Sequence, residues 1–336
     1  MKALVYTAPS VLEVQELDVP SRTPDQVLLR VLAAGVCGSD VNGYLGRSRL
    51  RIPPLVLGHE FSAVVEEAPA GTLAPGTRVA VLPLVGCGRY TCPQCSAGQP
   101  NRCPDRRLMG LHIPGAFAEY IVVPVASCYP IADHVSAVAG AAVEPLANAV
   151  HMFETIQRRH GLLDEVAILG AGGQGLTALS LGHHLGIDCH LVEPDAHRRA
   201  LALELGAASA VAPEQVDRTP RFQAVLDTAG HQATRQLGID LTAPGGTVLL
   251  LGLHDETSSL PCAAIVNREI NLTGSYAYTP SDFRRALGLI TAGQVDPTRF
   301  CTELPGEAGV EAFERLVSRS DDLIKPVLLF DQKETR

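Results

Sequence analysis

The chain has 336 residues, 46% of them apolar, with 31 glycines and 24 prolines. That is too long for one ordinary core, and it reads as a two-domain α/β protein rich in tight turns. The formal net charge of −9, with no dense Lys/Arg run, leaves no basic face to neutralise phosphates and so excludes nucleic acid as a partner.

The opening MKALVYTAPS has neither the apolar stretch nor the cleavage site of a signal peptide. MKALVY, LEVQEL and QVLLRVLAAGV then alternate or run apolar over strand lengths, separated by Pro-rich punctuation. LVLGHEFSAVVEEA, TRVAVLP and AFAEYIVVP continue that texture, the last ended by Pro124. A β-rich, barrel-like first half is expected.

The segment 135–149 is apolar but contains Glu144, Pro145 and Asn148, so it is too short and too polar to span a bilayer. A cytoplasmic protein without membrane contact is expected. From Val135 the texture changes. VSAVAGAAVEPLANAVHMFE has helical apolar spacing. EVAILGAGGQGLTALSLGHHLG reads as a buried strand, a glycine turn and a helix. DCHLVEP (strand), DAHRRALALELG (helix to Gly206), SAVAP and AVLDTAG (strands) follow. HQATRQLGIDLTAPGG predicts a helix over 231–246 with a glycine stop. GTVLLLGL and EINLTGSYAYT predict two further strands. Strands alternating with helices imply right-handed parallel crossovers and a doubly wound sheet. The remainder predicts helix (PSDFRRALGLITAGQV), helix (GVEAFERLVSRS) and strand (IKPVLLF).

Gly170-Ala171-Gly172-Gly173-Gln174-Gly175 fits G-x-G-x-x-G between an apolar strand and a helix. Gly170 permits the tight turn, Gly172 lets the backbone approach a pyrophosphate, and Gly175 allows close helix–strand packing. The helix N-terminus presents free N–H groups to the phosphates. Glu193 falls at the end of the second strand. A carboxylate there accepts both ribose hydroxyls of NAD and repels a 2′-phosphate, so NAD is expected over NADP. His197, Arg198 and Arg199 follow and read as a solvated helix face.

Four of the nine cysteines lie between Cys87 and Cys103. In a reducing compartment such density argues for metal rather than disulfides. Cys87, Cys92, Cys95 and Cys103 can wrap a tetrahedral zinc with no open position, as a structural site does. Cys37-Gly38-Ser39-Asp40 and Gly58-His59-Glu60 fall at the ends of predicted strands. A thiolate, an imidazole and a carboxylate suit a zinc that keeps a position open for substrate. Alone, His59 would read as a satisfied core histidine. Glu144 joins the group because a carboxylate in an apolar helix start needs a partner. Cys128, Cys189, Cys262 and Cys301 read as small core residues.

Together G-V-C-G-S-D (35–40), G-H-E (58–60), the Cys87–Cys103 cluster, G-A-F-A-E-Y (115–120), V-E-P-L (143–146) and G-A-G-G-Q-G (170–175) resemble the zinc-dependent medium-chain alcohol dehydrogenases, specifically their sorbitol/polyol branch. The resemblance covers nearly the whole chain. It implies a GroES-like catalytic domain over 1–143 with a structural zinc lobe at 86–104, a Rossmann domain over 144–278, and a return to the catalytic domain over 279–336. It also implies a homodimer or homotetramer. Cys37, His59 and Glu60 match the catalytic zinc site, Ser39 matches the residue that accepts or relays the alcohol proton, and Glu144 marks the polyol branch. The implied reaction is oxidation of a secondary alcohol of a polyol, cyclitol or sugar-derived substrate to a ketone, or its reverse.

Three departures stand out. Cys87 is two residues further from Cys92 than the usual lobe spacing, Ala63 replaces a glycine, and Asn42 stands where many relatives have a histidine that ends the proton relay. Arg47, Arg49, Arg51 and Tyr44 lie near the implied substrate entrance, where the arginines read as solvated loop residues. Two rival readings remain. One is a zinc-free enone reductase, which typically lacks the Cys37/His59 pair. The other is a catalytically silent protein that binds NAD and zinc.

Overall fold

A computed structural model describes residues 1–318 and 322–330. The chain forms two compact units, Met1–Ala147 with Tyr278–Arg336, and Asn148–Ala277.

The first unit is β-rich. Its opening strands are β1 (Lys2–Ala8), β2 (Val11–Glu16) and β3 (Gln26–Gly35). A short helix α1 (Gly38–Tyr44) precedes β4 (Leu55–Val56), β5 (Glu60–Glu67), β6 (Arg78–Val81) and β7 (Leu84–Val85). Then come α2 (Pro93–Ser96), β8 (Arg107–Leu108), β9 (Tyr120–Pro124), β10 (Cys128–Pro130) and α3 (Ala137–Ala141). Helix α4 (Val143–His160) carries the chain onward.

Strand β3 is the spine of this unit. It pairs antiparallel with β5, β9 and a strand near the end of the chain, β18 (Lys325–Leu329), and nearly all of its residues are buried. A strand covered on both faces needs a near-continuous apolar run, which VLLRVLAAG supplies. Around it a core gathers Leu4, Tyr6, Val27, Leu29, Leu57, Phe61, Phe117 and Phe313.

The second unit holds β11 (Glu165–Leu169), α5 (Gly173–His184), β12 (Asp188–Val192), α6 (Ala196–Glu204) and β13 (Ser209–Val211). It continues with β14 (Phe222–Asp227), α7 (Gln232–Leu241), β15 (Thr242–Leu250), α8 (Cys262–Asn267) and β16 (Asn271–Gly274). Its strands form one parallel sheet in the order β13-β12-β11-β14-β15-β16. The order reverses at β11, as the alternation of strands and helices predicts for a doubly wound sheet. Asp195 caps α6 by accepting from the Arg198 amide.

The chain returns to the first unit through α9 (Pro280–Thr291), β17 (Cys301–Pro305), α10 (Gly309–Ser318) and β18 (Lys325–Leu329). Thr279 and Asp282 form a capping box on α9, with Pro280 at its first position.

Several elements differ from the sequence expectation. The helix expected over 231–246 ends at Leu241, and Thr242 already pairs with Phe222 in the sheet. Pro244 cannot sit inside a helix, and the chain leaves it early. The single helix expected from Val135 is two, α3 and α4, with Ala142 between them. The strand expected over 269–279 shrinks to β16. Helices α1 and α8 and strand β17 have no counterpart in the expectation. The helix expected to reach Ser320 is described to Ser318, the rest lying outside the described residues. Among the described residues no helix is long and apolar enough to cross a membrane.

Candidate active site and metal centres

The antiparallel pairing of β3 with β5 brings the first cluster together. Gly35 opposes Glu60 across the ladder, so the turn after β3 and the turn before β5 meet at one end of the sheet. Cys37 leaves β3 and caps α1, while His59 precedes Glu60 at the start of β5. The ligating atoms of Cys37, His59 and Glu60 lie within 4.8 Å of one another. A Cβ at Gly35 would displace the Glu60 carboxylate, so glycine there leaves that side chain its place.

A second ring of polar groups holds this trio. Asp40 is fully buried, and its Oδ1 lies 3.2 Å from His59 Nδ1 and accepts from Arg51 Nη2 at 3.0 Å. Asp40 and His59 thus form a close, buried polar pair. With Nδ1 facing Asp40, the imidazole leaves Nε2 for a ligand. Burial works against the Asp40 charge, but His59 and Arg51 outweigh it and hold its pKa down to about 2. Burial likewise opposes a charged His59, and Asp40 overcomes it, so the His59 pKa stands well above its ordinary value.

Lys325, almost wholly buried, ion-pairs with Glu60 Oε2 and donates to the Val36 carbonyl at 3.2 Å. The opposite oxygen, Glu60 Oε1, is buried with no hydrogen-bond partner. An unpartnered buried carboxylate oxygen beside a thiol and an imidazole could hold a cation. Glu144, on the first turn of α4, lies beside the trio rather than inside it. Burial, reinforced by the Glu60 charge, pushes its pKa up to about 7, and it interacts with Tyr278. The Tyr278 hydroxyl is buried, and burial and the Glu144 charge push its pKa up.

Ser39 Oγ accepts from Arg51 Nη2 at 3.1 Å, and Arg51 Nε donates to the Gly110 carbonyl at 3.0 Å. Arg51 is therefore a buried structural cation and departs from the expected solvated loop, whereas Arg47 and Arg49 are exposed. Tyr44 is buried, with its ring edge-on to Phe313 at 5.3 Å, so it belongs to the core.

The cysteine lobe is built differently. Gly88, at φ +67°, and the fully exposed Tyr90 form a bulge that returns Cys87 to the other thiols. Cys87 and Cys95 sulfurs stand 3.7 Å apart, and Cys92 and Cys103 sulfurs 3.8 Å. Four sulfurs about 2.3 Å from a zinc would be spaced about 3.8 Å along each tetrahedral edge. All four thiols lie within 4.8 Å of one another and none is in a disulfide. The Arg89 backbone amide lowers the Cys87 pKa to about 7, and burial raises that of Cys95 to about 11.

In the second unit, Gly170 adopts φ +99° at the end of β11. A Cβ on Gly175 would strike the Gly170 carbonyl, while Gly172 has open space around it. Gly173 and Gln174 begin α5, and Gln174 Oε1 is buried without a partner. Glu193 lies just past β12, mostly buried; its Oε2 accepts from the Ala171 amide at 2.7 Å and its Oε1 from the Asp195 amide at 3.1 Å. Arg199 is not simply solvated, since it donates to the Glu193 and Pro194 carbonyls. Of the remaining cysteines, Cys189 is buried and Cys128 and Cys301 are half-buried, but Cys262 is exposed and so is not a core residue.

Lys325 and Tyr278 are the site residues that sequence reasoning does not single out, while Asp40 and Arg51 are named there without the buried, supporting roles they have here. A lysine at the head of the otherwise apolar KPVLL was the one available signal.

Comparison with known proteins agrees with this architecture. Residues 23–133 match the alcohol dehydrogenase GroES-like domain and residues 173–292 the zinc-binding dehydrogenase domain. The D-arabitol-phosphate dehydrogenase of Enterococcus avium is 31% identical, over 91% of this chain and 91% of that protein. The L-galactonate-5-dehydrogenase of Escherichia coli K12 is 29% identical, over 98% of this chain and 99% of the relative. A Sinorhizobium meliloti 1021 protein described as a zinc-binding dehydrogenase, solved with NADP bound, superposes with a TM-score of 0.88 at 30% identity, covering 98% of this chain and 99% of the other. The chain belongs to the zinc-dependent medium-chain alcohol dehydrogenases. Its homologues place it in the polyol branch of that family, and it is an oxidoreductase with a GroES-like and a Rossmann domain.

Proposed function

We propose that this enzyme uses zinc and NAD to interconvert a secondary alcohol of a polyol, cyclitol or sugar-derived substrate and the corresponding ketone. The observation that carries this reading is Glu60 Oε1, buried without a partner beside Cys37 and His59. Cys37 Sγ, His59 Nε2 and Glu60 Oε1 would hold the catalytic zinc, with Glu144 completing the shell directly or through water. Cys87, Cys92, Cys95 and Cys103 would hold the structural zinc. Bound zinc lowers the pKa of an alcohol, and bound nicotinamide accepts hydride from its carbinol carbon.

The chain's own residues do the rest. Asp40 fixes the His59 ring. Lys325 neutralises one Glu60 oxygen and leaves the other for the metal. Ser39 Oγ accepts the alcohol proton. Because Arg51 donates to that same oxygen, the Ser39 hydrogen stays available to pass outward. Asn42 cannot titrate, so the proton leaves through water. The glycine turn 170–175 cradles the pyrophosphate.

The position of Glu193 supports NAD, while the Sinorhizobium relative was solved with NADP. A homodimer or homotetramer is consistent with β16 ending its sheet and with the exposed Val266 and Leu272 nearby. A panel of polyols, cyclitols, sugar acids and sugar phosphates, each offered with NAD and with NADP, tests the reading through absorbance of the reduced nicotinamide. Turnover of at least one member with NAD preferred is expected. No turnover on any, with zinc and dinucleotide both bound, would identify a catalytically silent protein.

A further inference from the structure

A third group of metal-ligating side chains lies in the second unit, remote in sequence from both proposed zinc sites. His231 follows β14 and caps α7, while His254 and Asp255 lie in the loop after β15. The ligating atoms of all three converge within 4.8 Å, as they do in the two clusters of the first unit. The His231 and His254 ring centroids are 3.8 Å apart, and His231 Nδ1 stands 4.0 Å from Asp255 Oδ1.

The backbone holds this arrangement in place. Asp255 Oδ2 accepts from the Gln232 amide at 2.6 Å, which turns Oδ1 toward the imidazoles. The Asp255 amide donates to the Gly230 carbonyl at 2.9 Å. Gly230 and Gly252 approach so closely that a Cβ on either would strike the other's backbone. Two loops from neighbouring parallel strands are thus tied together, and the three donors sit on a fixed frame. Preorganised donors lower the cost of binding an ion.

We propose that His231, His254 and Asp255 form a binding site for a borderline-soft divalent metal ion, zinc or a neighbouring transition metal. Two imidazoles and one carboxylate are a transition-metal set, whereas calcium and magnesium call for oxygen-rich shells. Zinc with nitrogen and oxygen ligands at about 2.1 Å needs donors roughly 3.4 Å apart. The present spacing closes to that with small side-chain rotations. His231 and Asp255 side chains are 39% and 35% exposed, so water completes the shell and the ion exchanges readily. The site is therefore weaker than the two in the first unit. Both loops leave the carboxyl ends of β14 and β15, the edge at which open parallel sheets bind their ligands. An ion there clamps the two loops to one another.

Equilibrium dialysis of the full-length, zinc-replete enzyme against graded zinc tests this, with His231→Asn, His254→Asn and Asp255→Asn beside the wild type. The expected result is one further zinc per chain above the tightly held complement, lost in both histidine variants and weakened in Asp255→Asn. Zinc should also raise the Tm of the wild type and not of the histidine variants. The side chains are partly exposed, so folding survives, and circular dichroism confirms it. A wild type that takes up no further zinc would overturn the proposal, as would uptake unchanged in both histidine variants. Neither outcome touches the zinc sites of the first unit, whose occupancy is read separately as the tightly held complement.

Discussion

The two candidate metal clusters of the first unit are opposites in construction. The lobe of Cys87, Cys92, Cys95 and Cys103 offers four like donors at nearly tetrahedral spacing, on a short stretch of chain bent by its own glycines. Its geometry is local and its ligand set is complete. The Cys37, His59 and Glu60 cluster offers three unlike donors from two strand ends and is supported by Asp40, Lys325, Glu144 and Tyr278. Its geometry depends on long-range contacts, and its ligand set is incomplete. A complete, local set suits a structural metal, and an incomplete set in a buried polar shell suits one that must admit substrate.

That contrast makes the second cluster sensitive to residues that never touch the metal, and the first cluster indifferent to them. Lys325→Met should show the largest effect. It leaves the buried Glu60 without its partner, which costs about 3–5 kcal/mol when no other cation compensates. Chemical denaturation of metal-stripped protein should register that loss, and adding zinc should recover part of it. An equal loss with and without zinc would mean that Glu60 does not face the metal.

Asp40→Asn should act more mildly. The amide keeps the shape but loses the charge that orients His59 and receives Arg51. Removing such a supporting carboxylate typically costs about 10–100-fold in metal affinity or activity. Competition with a chelator should show weakened binding of one zinc per chain, while the zinc in the cysteine lobe stays put. Weakening of both would show that the two clusters are not independent.

The same contrast explains what the sequence reveals. The cysteine lobe is readable because its four thiols are neighbours in sequence, and only the Cys87 spacing is irregular; the bulge at Gly88–Tyr90 absorbs that irregularity. The glycine turn is readable because the strand, turn and helix are consecutive. Cys37, His59 and Glu60 stand at strand ends, so the antiparallel pairing of β3 with β5 brings them together. The partners that tune them were hidden. Lys325 reaches Glu60 from 265 residues away in sequence, and Tyr278 belongs to the returning segment that packs with the first unit. Arg51 sits on a loop rich in exposed arginines, and nothing local separates it from them. Element ends were lost to local chemistry: Pro244 shortened α7, and the junction at Ala142 divided α3 from α4.

The most direct measurement pairs metal content with turnover in Cys37→Ser and Cys87→Ser, using the substrate that the wild type oxidises fastest. Cys37→Ser should lose one zinc per chain and at least about 10³-fold in kcat, the several kcal/mol that a Lewis acid contributes, while its Tm stays near that of the wild type. Cys87→Ser should lose the other zinc and show its main defect in Tm. Full turnover by Cys37→Ser depleted of that zinc would contradict the assignment of Cys37, His59 and Glu60 as the reacting centre.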